Sequence, residues 1–331
     1  MSTAPAVSTV TKRNLTATTP SIGCPICGDQ GLAAFLSAPD RFHLRAKKYT
    51  LARCAACGVV RLMNPPRPEE MGAHYTEDYH RAIAAAGETS VSKRWKAQRE
   101  RISKYKPGGA ILDIGCSSGG FLSTLDTSAW QLYGIEMEPS TGERARELAG
   151  AQVWVGDVLD ANFEPNSFDV ITCFDLLEHI YTPREFLVQV LKWLKPGGVF
   201  YTVLPNIESW EARTFRTYWY GLELPRHFFH FSPRSLRALT ASIGFEEVHI
   251  GTPPISYVER SMGYVGAGLL ERLGFSPTPQ ANQQKKSPFA WRIVRKGLRL
   301  TFVRPLAHLA SLSGAGPSME GVFSKPLDFV N

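Results

Sequence analysis

Four cysteines fall in two pairs, Cys24-Pro25-Ile26-Cys27-Gly28 and Cys54-Ala55-Ala56-Cys57-Gly58, with 26 residues between them. Each pair is a tight turn whose closing glycine lets backbone amides face the sulfurs. Two such turns bring four thiolates to one point, a donor set that suits tetrahedral Zn2+. Four thiolates leave no open position for a substrate, so the zinc expected here is structural. A redox CxxC is the weaker alternative, because paired knuckles at ribbon spacing favour a metal. Cys116 and Cys173 lie in strand-and-turn patterns and read as reduced, buried thiols. A disulfide framework is not expected in a chain of this size without a signal sequence.

The second constellation combines acids with glycines. In Leu112-Asp113-Ile114-Gly115-Cys116-Ser117-Ser118-Gly119-Gly120-Phe121 an apolar run enters a glycine-rich turn and then a helix. Glycines serve where a backbone must approach a ligand closely or take a positive φ. Glu136 follows Gly115 by 21 residues and ends the next strand pattern, where an acid can accept both hydroxyls of a ribose. A nicotinamide site shares these two features, but three details oppose it. The turn reads GxSxGG and not GxGxxG. Asp113 stands where a pyrophosphate would be repelled and an ammonium welcomed. Asp157 ends a third strand pattern, Val155-Gly156-Asp157-Val158, where it can accept from an adenine amino group. S-adenosylmethionine (SAM) carries an ammonium and a sulfonium but no phosphate, so an acid-lined pocket fits it.

These motifs need strands that end at one edge. Apolar runs at Ala110–Ile114, Gln131–Glu136, Gln152–Val155, Phe168–Phe174 and Val199–Leu204 read as strands, with helices at Pro139–Ala149 and Pro183–Leu194 between them. Such alternation predicts a parallel sheet wound on both faces. Phe245–Ile250 reads as a sixth strand and the run from Gly321 to Pro326 as an antiparallel seventh. Between the cysteine pairs, the alternation from Arg41 to Arg53 supplies the strands of a ribbon.

Asp113–Gly120, Glu136, Asp157, the Phe168–Ile171 run leading to Leu177-Glu178-His179-Ile180, and Leu194-Lys195-Pro196-Gly197-Gly198 occur in order. Over about residues 107–250 the chain therefore resembles the class I SAM-dependent methyltransferases. With its cysteine leader it resembles the bacterial subgroup that carries a zinc ribbon, many of which act on sugars, lipids or secondary metabolites. The resemblance implies an α/β, Rossmann-like fold with a seven-stranded sheet and an antiparallel last strand. It implies a SAM pocket lined by Asp113, Gly115, Cys116, Gly119, Glu136, Met137, Asp157, Val158 and Phe174. Tyr75 and Tyr79, in the stretch before the domain, either close over the cofactor or pack on the domain. Ser117 replaces the usual second glycine, and a slight effect on the turn is expected.

Methyl transfer is an in-line displacement in which the enzyme aligns the acceptor and, where needed, removes a proton. His179 and His227 are the candidate bases; His230 is read as structural. Asp175-Leu176-Leu177-Glu178-His179 also resembles a loop of ubiquinone-pathway O-methyltransferases linked to a divalent cation, which implies a cation at Asp175, Glu178 and His179. The aromatic stretch Trp210–Tyr220 either walls the acceptor pocket or packs as ordinary core.

The expected partition is a disordered tail (1–20), a four-cysteine zinc ribbon (21–64), a linker with a helical lead-in (65–106) and a SAM-binding domain (107–331) containing a helical insertion (251–318). The net charge of +7 is local: Lys285, Lys286, Arg292, Arg295, Lys296, Arg299 and Arg304 include no acid among them. No general polyanion surface follows, so nucleic acid is not an expected partner. Trp291, Val294, Leu298 and Phe302 recur at helical spacing, giving a basic amphipathic helix over 285–304. Such a helix either lies on an anionic membrane or packs on its own domain with a solvated basic face. No apolar run reaches the roughly 18–20 residues that span a bilayer. The chain reads as a cytoplasmic methyltransferase, membrane-associated only on the first of these two readings of the helix, acting on an oxygen of a small-molecule, sugar or lipid-linked acceptor. RNA or protein methylation, and a non-catalytic SAM-fold scaffold, are the alternatives.

Overall fold

The computed structural model describes residues 23–76, 88–275, 297 and 299–329. The N-terminal tail, Tyr79 and most of the basic stretch 285–304 lie outside these residues.

A seven-stranded sheet carries the larger part of the molecule. Its strands are β4 (Gly109–Ile114), β5 (Trp130–Glu136), β6 (Gln152–Val155), β7 (Phe168–Phe174), β8 (Leu194–Pro205), β10 (Glu246–Gly251) and β11 (Ser318–Ser324). The order is β10-β11-β8-β7-β4-β5-β6, and β11 runs antiparallel to both of its neighbours. All other pairs from β8 to β6 are parallel. This is the seven-stranded arrangement expected from the motifs. The central strands are buried along nearly their whole length, as both-face burial requires of apolar runs such as Val170-Ile171 and Ile111-Leu112.

Local chemistry sets where the helices begin and end. In α2 (Pro139–Ala149) the Glu138 carboxylate accepts from the Thr141 amide at 2.7 Å, Pro139 opens the first turn, and Gly150 closes it at φ 63°. Helix α3 (Pro183–Trp193) ends one residue before the expected point. β8 then begins at Leu194, five residues before the expected start at Val199, and takes in Lys195–Gly198. Helix α1 (Glu88–Tyr105) precedes β4, α4 (Trp210–Phe215) follows β8, and α5 (Pro233–Ala241) leads into β10. Between β10 and β11 stand α6 (Val258–Arg272), a π-helical turn (Arg299–Val303) and α7 (Arg304–Leu312).

The cysteine unit forms a second, antiparallel sheet from β1 (Leu32–Asp40), β2 (Arg45–Cys54) and β3 (Val60–Leu62). Its hairpin thus starts nine residues earlier than the Arg41–Arg53 alternation suggested, with the turn at 41–44. The fourth strand comes from far along the chain. β9 (Phe229–His230) pairs with β3, placing Val60 opposite His230. The ribbon and the segment after β8 therefore share backbone hydrogen bonds, and Phe228, Phe229 and Phe231 are buried in the shared core.

Candidate functional site

The glycine turn sits where β4 ends. Gly115 has φ +75° and a Cβ there would come within 3.1 Å of Leu176; at Gly119, φ +79°, it would come within 3.0 Å of the Ala145 backbone in α2. Only glycine lets the turn lie this flat against its neighbours. Ser117 also has a positive φ, 49°, so it holds a conformation that a Cβ disfavours. Its amide donates to Glu136 Oε2 at 2.9 Å, and Glu136 Oε1 accepts from the Glu138 amide at 3.0 Å. The acid is thereby fixed at the end of β5, beside the turn. The Cys116 side chain is buried, so at this position only the backbone faces the turn. Burial pushes its thiol up, out of the range of a thiolate.

Asp113 is 3% exposed, and Thr172 Oγ1 donates to it at 2.7 Å. Burial, with the Glu136 charge adding to it, pushes its carboxyl up to about 7, while the Thr172 hydrogen bond opposes the rise. A cation placed at this strand end would draw the group back to its charged form. Asp157 Oδ1 accepts from the Leu159 amide at 2.9 Å and Val158 is buried, while Met137 is exposed at the end of β5. All these residues lie at or just beyond the C-terminal ends of β4, β5 and β6, where ligands bind in open parallel sheets.

Helix α1 roofs the turn with residues that carry no motif. Trp95 packs on Phe121 and Phe174, with ring centroids 5.9 and 5.7 Å away, and Phe174 meets Tyr201 edge-on at 5.3 Å. Arg94 pairs with Asp175 at 2.7 Å. Among the described residues, an indole at the spacing of the α1 core face is the one signal that could have pointed to this roof.

A third group assembles beside β7. His179 closes the single turn Leu177–His179, and its Nδ1 lies 3.0 Å from the Arg226 carbonyl and 3.1 Å from the Tyr75 hydroxyl. A carbonyl only accepts, so Nδ1 carries the proton and Nε2 the lone pair. The same reasoning applies to His227, whose Nδ1 donates to the Gly221 carbonyl at 3.0 Å. The two rings meet edge-on, 4.6 Å apart. Burial lowers the pKa of both; in His227 the neighbouring His179 and His230 lower it well below the usual range. Burial thus favours the neutral form of both. Glu178 is 1% exposed, neither carboxylate oxygen has a hydrogen-bond partner, and burial with the Asp175 charge raises its pKa well above the usual range.

One donor atom each from Glu178, His179 and His227 lies within 4.8 Å of the others. The cation set suggested by sequence, Asp175, Glu178 and His179, is thus altered: Arg94 engages Asp175, and His227 stands in the third place. Tyr75 is placed against His179. Trp210–Tyr220 divides its aromatics. Trp219 is buried, Tyr218 stacks under Arg41 of the ribbon at 3.7 Å, and Tyr220 packs on Tyr257 and Tyr264 near α6. His230 lies in β9, its Nε2 donating to the Leu222 carbonyl at 3.0 Å.

The bridge between this group and the ribbon is Arg226, which is fully buried. Its guanidinium bonds Glu223 at 3.1 Å and the His74 carbonyl at 3.2 Å, and it lies over the Phe42 ring. Side chain and carbonyl of one residue thus hold the ribbon on one side and His179 on the other.

The four knuckle sulfurs lie within 4.8 Å of one another. Cys24–Cys57 and Cys27–Cys54 are 3.7 and 3.6 Å apart. A disulfide would need about 2.05 Å. A tetrahedron with metal–sulfur bonds of about 2.3 Å has edges of about 3.8 Å.

Residues 88–250 match the family model described as a methyltransferase domain. The ubiquinone biosynthesis O-methyltransferase of Idiomarina loihiensis is 32% identical over 111 residues, which are 31% of this chain and 46% of that protein. The mitochondrial enzyme of the same description from Schizosaccharomyces pombe is 30% identical over 98 residues, covering 28% of this chain and 36% of that one. The chain thus spans less than half the length of the curated relatives it matches. Among solved structures, phosphoethanolamine N-methyltransferase 2 of Haemonchus contortus, in complex with S-adenosyl-L-methionine, aligns with a TM-score of 0.47 at 18% identity, over 70% of this chain and 53% of that one.

Proposed function

We propose that this chain, whose residues 88–250 form a methyltransferase domain, binds SAM and methylates an oxygen of a small-molecule or lipid-linked acceptor. The observation that carries the reading is Asp113: a buried acid, held by Thr172 at the end of β4, that suits an ammonium and repels a phosphate. Glu136, oriented by two backbone amides, suits the ribose, and Asp157 suits the adenine. SAM, when bound, supplies an already activated methyl group. What remains for the protein is alignment and removal of the acceptor proton. His179 suits the second task, because its Nδ1–H is held by the Arg226 carbonyl and its Nε2 is left as a neutral base. The relatives named as ubiquinone O-methyltransferases support an oxygen acceptor with a lipid-like body.

Cys24, Cys27, Cys54 and Cys57 hold a structural Zn2+, as their sulfur separations suit. A second use of the histidine group would be a divalent cation held by Glu178, His179 and His227, for which the two orphaned oxygens of Glu178 are the fit; His179 Nε2 would then be a ligand and not the base. Such a cation supplies Lewis acidity toward an acceptor hydroxyl.

The test is to incubate the purified chain with isotopically labelled SAM and a lipid and metabolite extract, and to identify the labelled product by mass analysis. A product labelled at oxygen supports the proposal. Normal SAM affinity in both Asp113→Ala and Glu136→Ala would refute the assigned pocket.

A further inference from the structure

The helices between β10 and β11 are packed in the reverse of the usual sense. In α7 the residues that face the domain are Ala307 and Ala310, while Leu306, Leu309 and Leu312 are 45%, 63% and 78% exposed. In α6 the buried positions are Ser261, Tyr264 and Gly268, and Met262, Leu269 and Leu270 face outward. The pattern continues past the helix ends to Leu273 and Phe275 on one side and Leu300 and Phe302 on the other. Of the 19 exposed large hydrophobic residues among the described residues, ten lie in 258–275 and 299–312. A helix that served only its own domain would bury its leucines and expose its alanines. Here the larger apolar groups are kept for something outside.

The charge of the same region says what that is. Among the described residues Arg260, Arg272, Arg299 and Arg304 stand against Glu259 and Glu271, with Arg299 paired to Glu259 at 3.9 Å, and in the sequence residues 276–296 add five cations and no acid. Arg304 also lines a shallow groove with Pro254, Leu300, Pro305 and His308, so a cationic group stands among apolar ones on one surface. An apolar surface in a segment of net positive charge is the complement of an anionic bilayer, where large side chains enter the headgroup–acyl boundary and basic ones meet phosphates. A second copy of the chain is a poor occupant, since it would bring the same positive charge to the contact.

We propose that the outward faces of α6 and α7 seat this protein on the surface of an anionic membrane. The proposal deepens the lipid-linked acceptor reading, but its test needs neither SAM nor acceptor, so the two can fail separately.

The full chain is sedimented with vesicles of phosphatidylcholine alone and with vesicles containing phosphatidylglycerol. Binding at least tenfold tighter to the anionic vesicles is expected, weakening as salt rises from about 0.1 M to about 1 M. Leu309→Asp with Leu312→Asp should reduce that binding at least tenfold; both side chains are exposed, so circular dichroism and the thermal midpoint should not move. Arg299→Glu with Arg304→Glu should weaken binding to anionic vesicles alone. Absence of binding to anionic vesicles, or undiminished binding by the leucine variants, would overturn the proposal. So would a concentration-dependent dimer in sedimentation velocity that Leu309→Asp abolishes, which would assign the face to a second copy.

Discussion

The cysteine knuckles and the Glu178–His179–His227 group are both candidate metal sites, yet they are built in opposite ways. Each knuckle is a turn of four residues, and its two sulfurs are brought together by local backbone hydrogen bonds such as Gly28 N to Cys24 O at 2.8 Å and Gly58 N to Cys54 O at 3.1 Å. The histidine group joins a turn after β7 to a loop 48 residues later, and its alignment rests on Arg226, a residue that lies over Phe42 of the ribbon and bonds the His74 carbonyl. A local site is specified by spacing. An assembled site is specified by the fold, and it inherits the stability of whatever holds its parts.

The strongest way to sharpen that contrast is to remove a knuckle ligand. Cys54→Ser should lower the zinc content from about one ion per chain to well below that, and should lower the thermal midpoint by about 10 °C or more, because structural zinc binding is itself folding energy. Because β9 pairs with β3, the damage should spread to the loop that carries His227, and methyl transfer should fall as well. Metal analysis and calorimetry check this. A variant with an unchanged midpoint would mean that the knuckles do not hold the ribbon.

A smaller effect is expected from within the assembled site. His179→Ala should lower kcat about 10²–10⁴-fold, the usual range for a positioned acid or base, with the SAM Kd changed less than about threefold. If His179 and His227 act as one unit, the double variant His179→Ala/His227→Ala should be little worse than the poorer single variant. Single-turnover rates and calorimetric SAM binding separate the two quantities. Fully additive losses would break the claim that the group acts as one site.

The glycine turn lies between these extremes, being local in sequence but tuned by burial. Asp113 has a folded pKa of about 7, raised above its ordinary value by burial. Its effect on folding therefore favours the native state at low pH and is lost as pH rises through about 7. SAM binding has the opposite sign, because the ammonium needs the carboxylate. The SAM Kd should fall about tenfold per pH unit as pH rises toward about 7 and then level off. Asp113→Asn should flatten this profile and weaken binding at pH 8 by about 10–100-fold, the value of a hydrogen bond to a charged group. Titration calorimetry across the range decides; a wild-type profile without a slope would remove Asp113 from the ammonium site.

The same contrast explains what could be read from sequence. The strand ends, the glycine turn and α2 are legible because apolar runs, a capping acid, Pro139 and Gly150 act within a few residues of one another. The β3–β9 pairing is not legible, since a two-residue strand has no period to detect. Nor is the loss of Asp175 to Arg94, because the two are 81 positions apart and nothing in either segment names the other. Tyr75 reads as a lid from its position before the domain; the contact of its hydroxyl with His179 is not legible, because only the folded loop brings the two near. Sequence marks the residues that could do chemistry. Which of them meet is decided by buried long-range partners such as Arg226.

Ser117 gives the most finely graded test, since it departs from the glycine pattern within an otherwise local motif. At φ 49° it stands in the left-handed region, where a Cβ costs about 1–2 kcal/mol. Ser117→Gly removes that strain but adds backbone freedom to the unfolded chain, worth about 0.5–1 kcal/mol in the other direction. The net expected change is a stabilisation of up to about 1 kcal/mol, read as a rise in the denaturation midpoint. Ser117→Ala keeps the Cβ and should show no such gain. SAM affinity should change less than about twofold in either variant, because the contact that matters here is the backbone amide to Glu136, which neither substitution removes. If glycine gives no more stability than alanine, the turn is not strained at this position, and the departure from the family pattern is structurally silent. If glycine stabilises the chain but weakens SAM binding, the serine is holding the turn in its binding shape, and even this local motif is tuned by more than spacing.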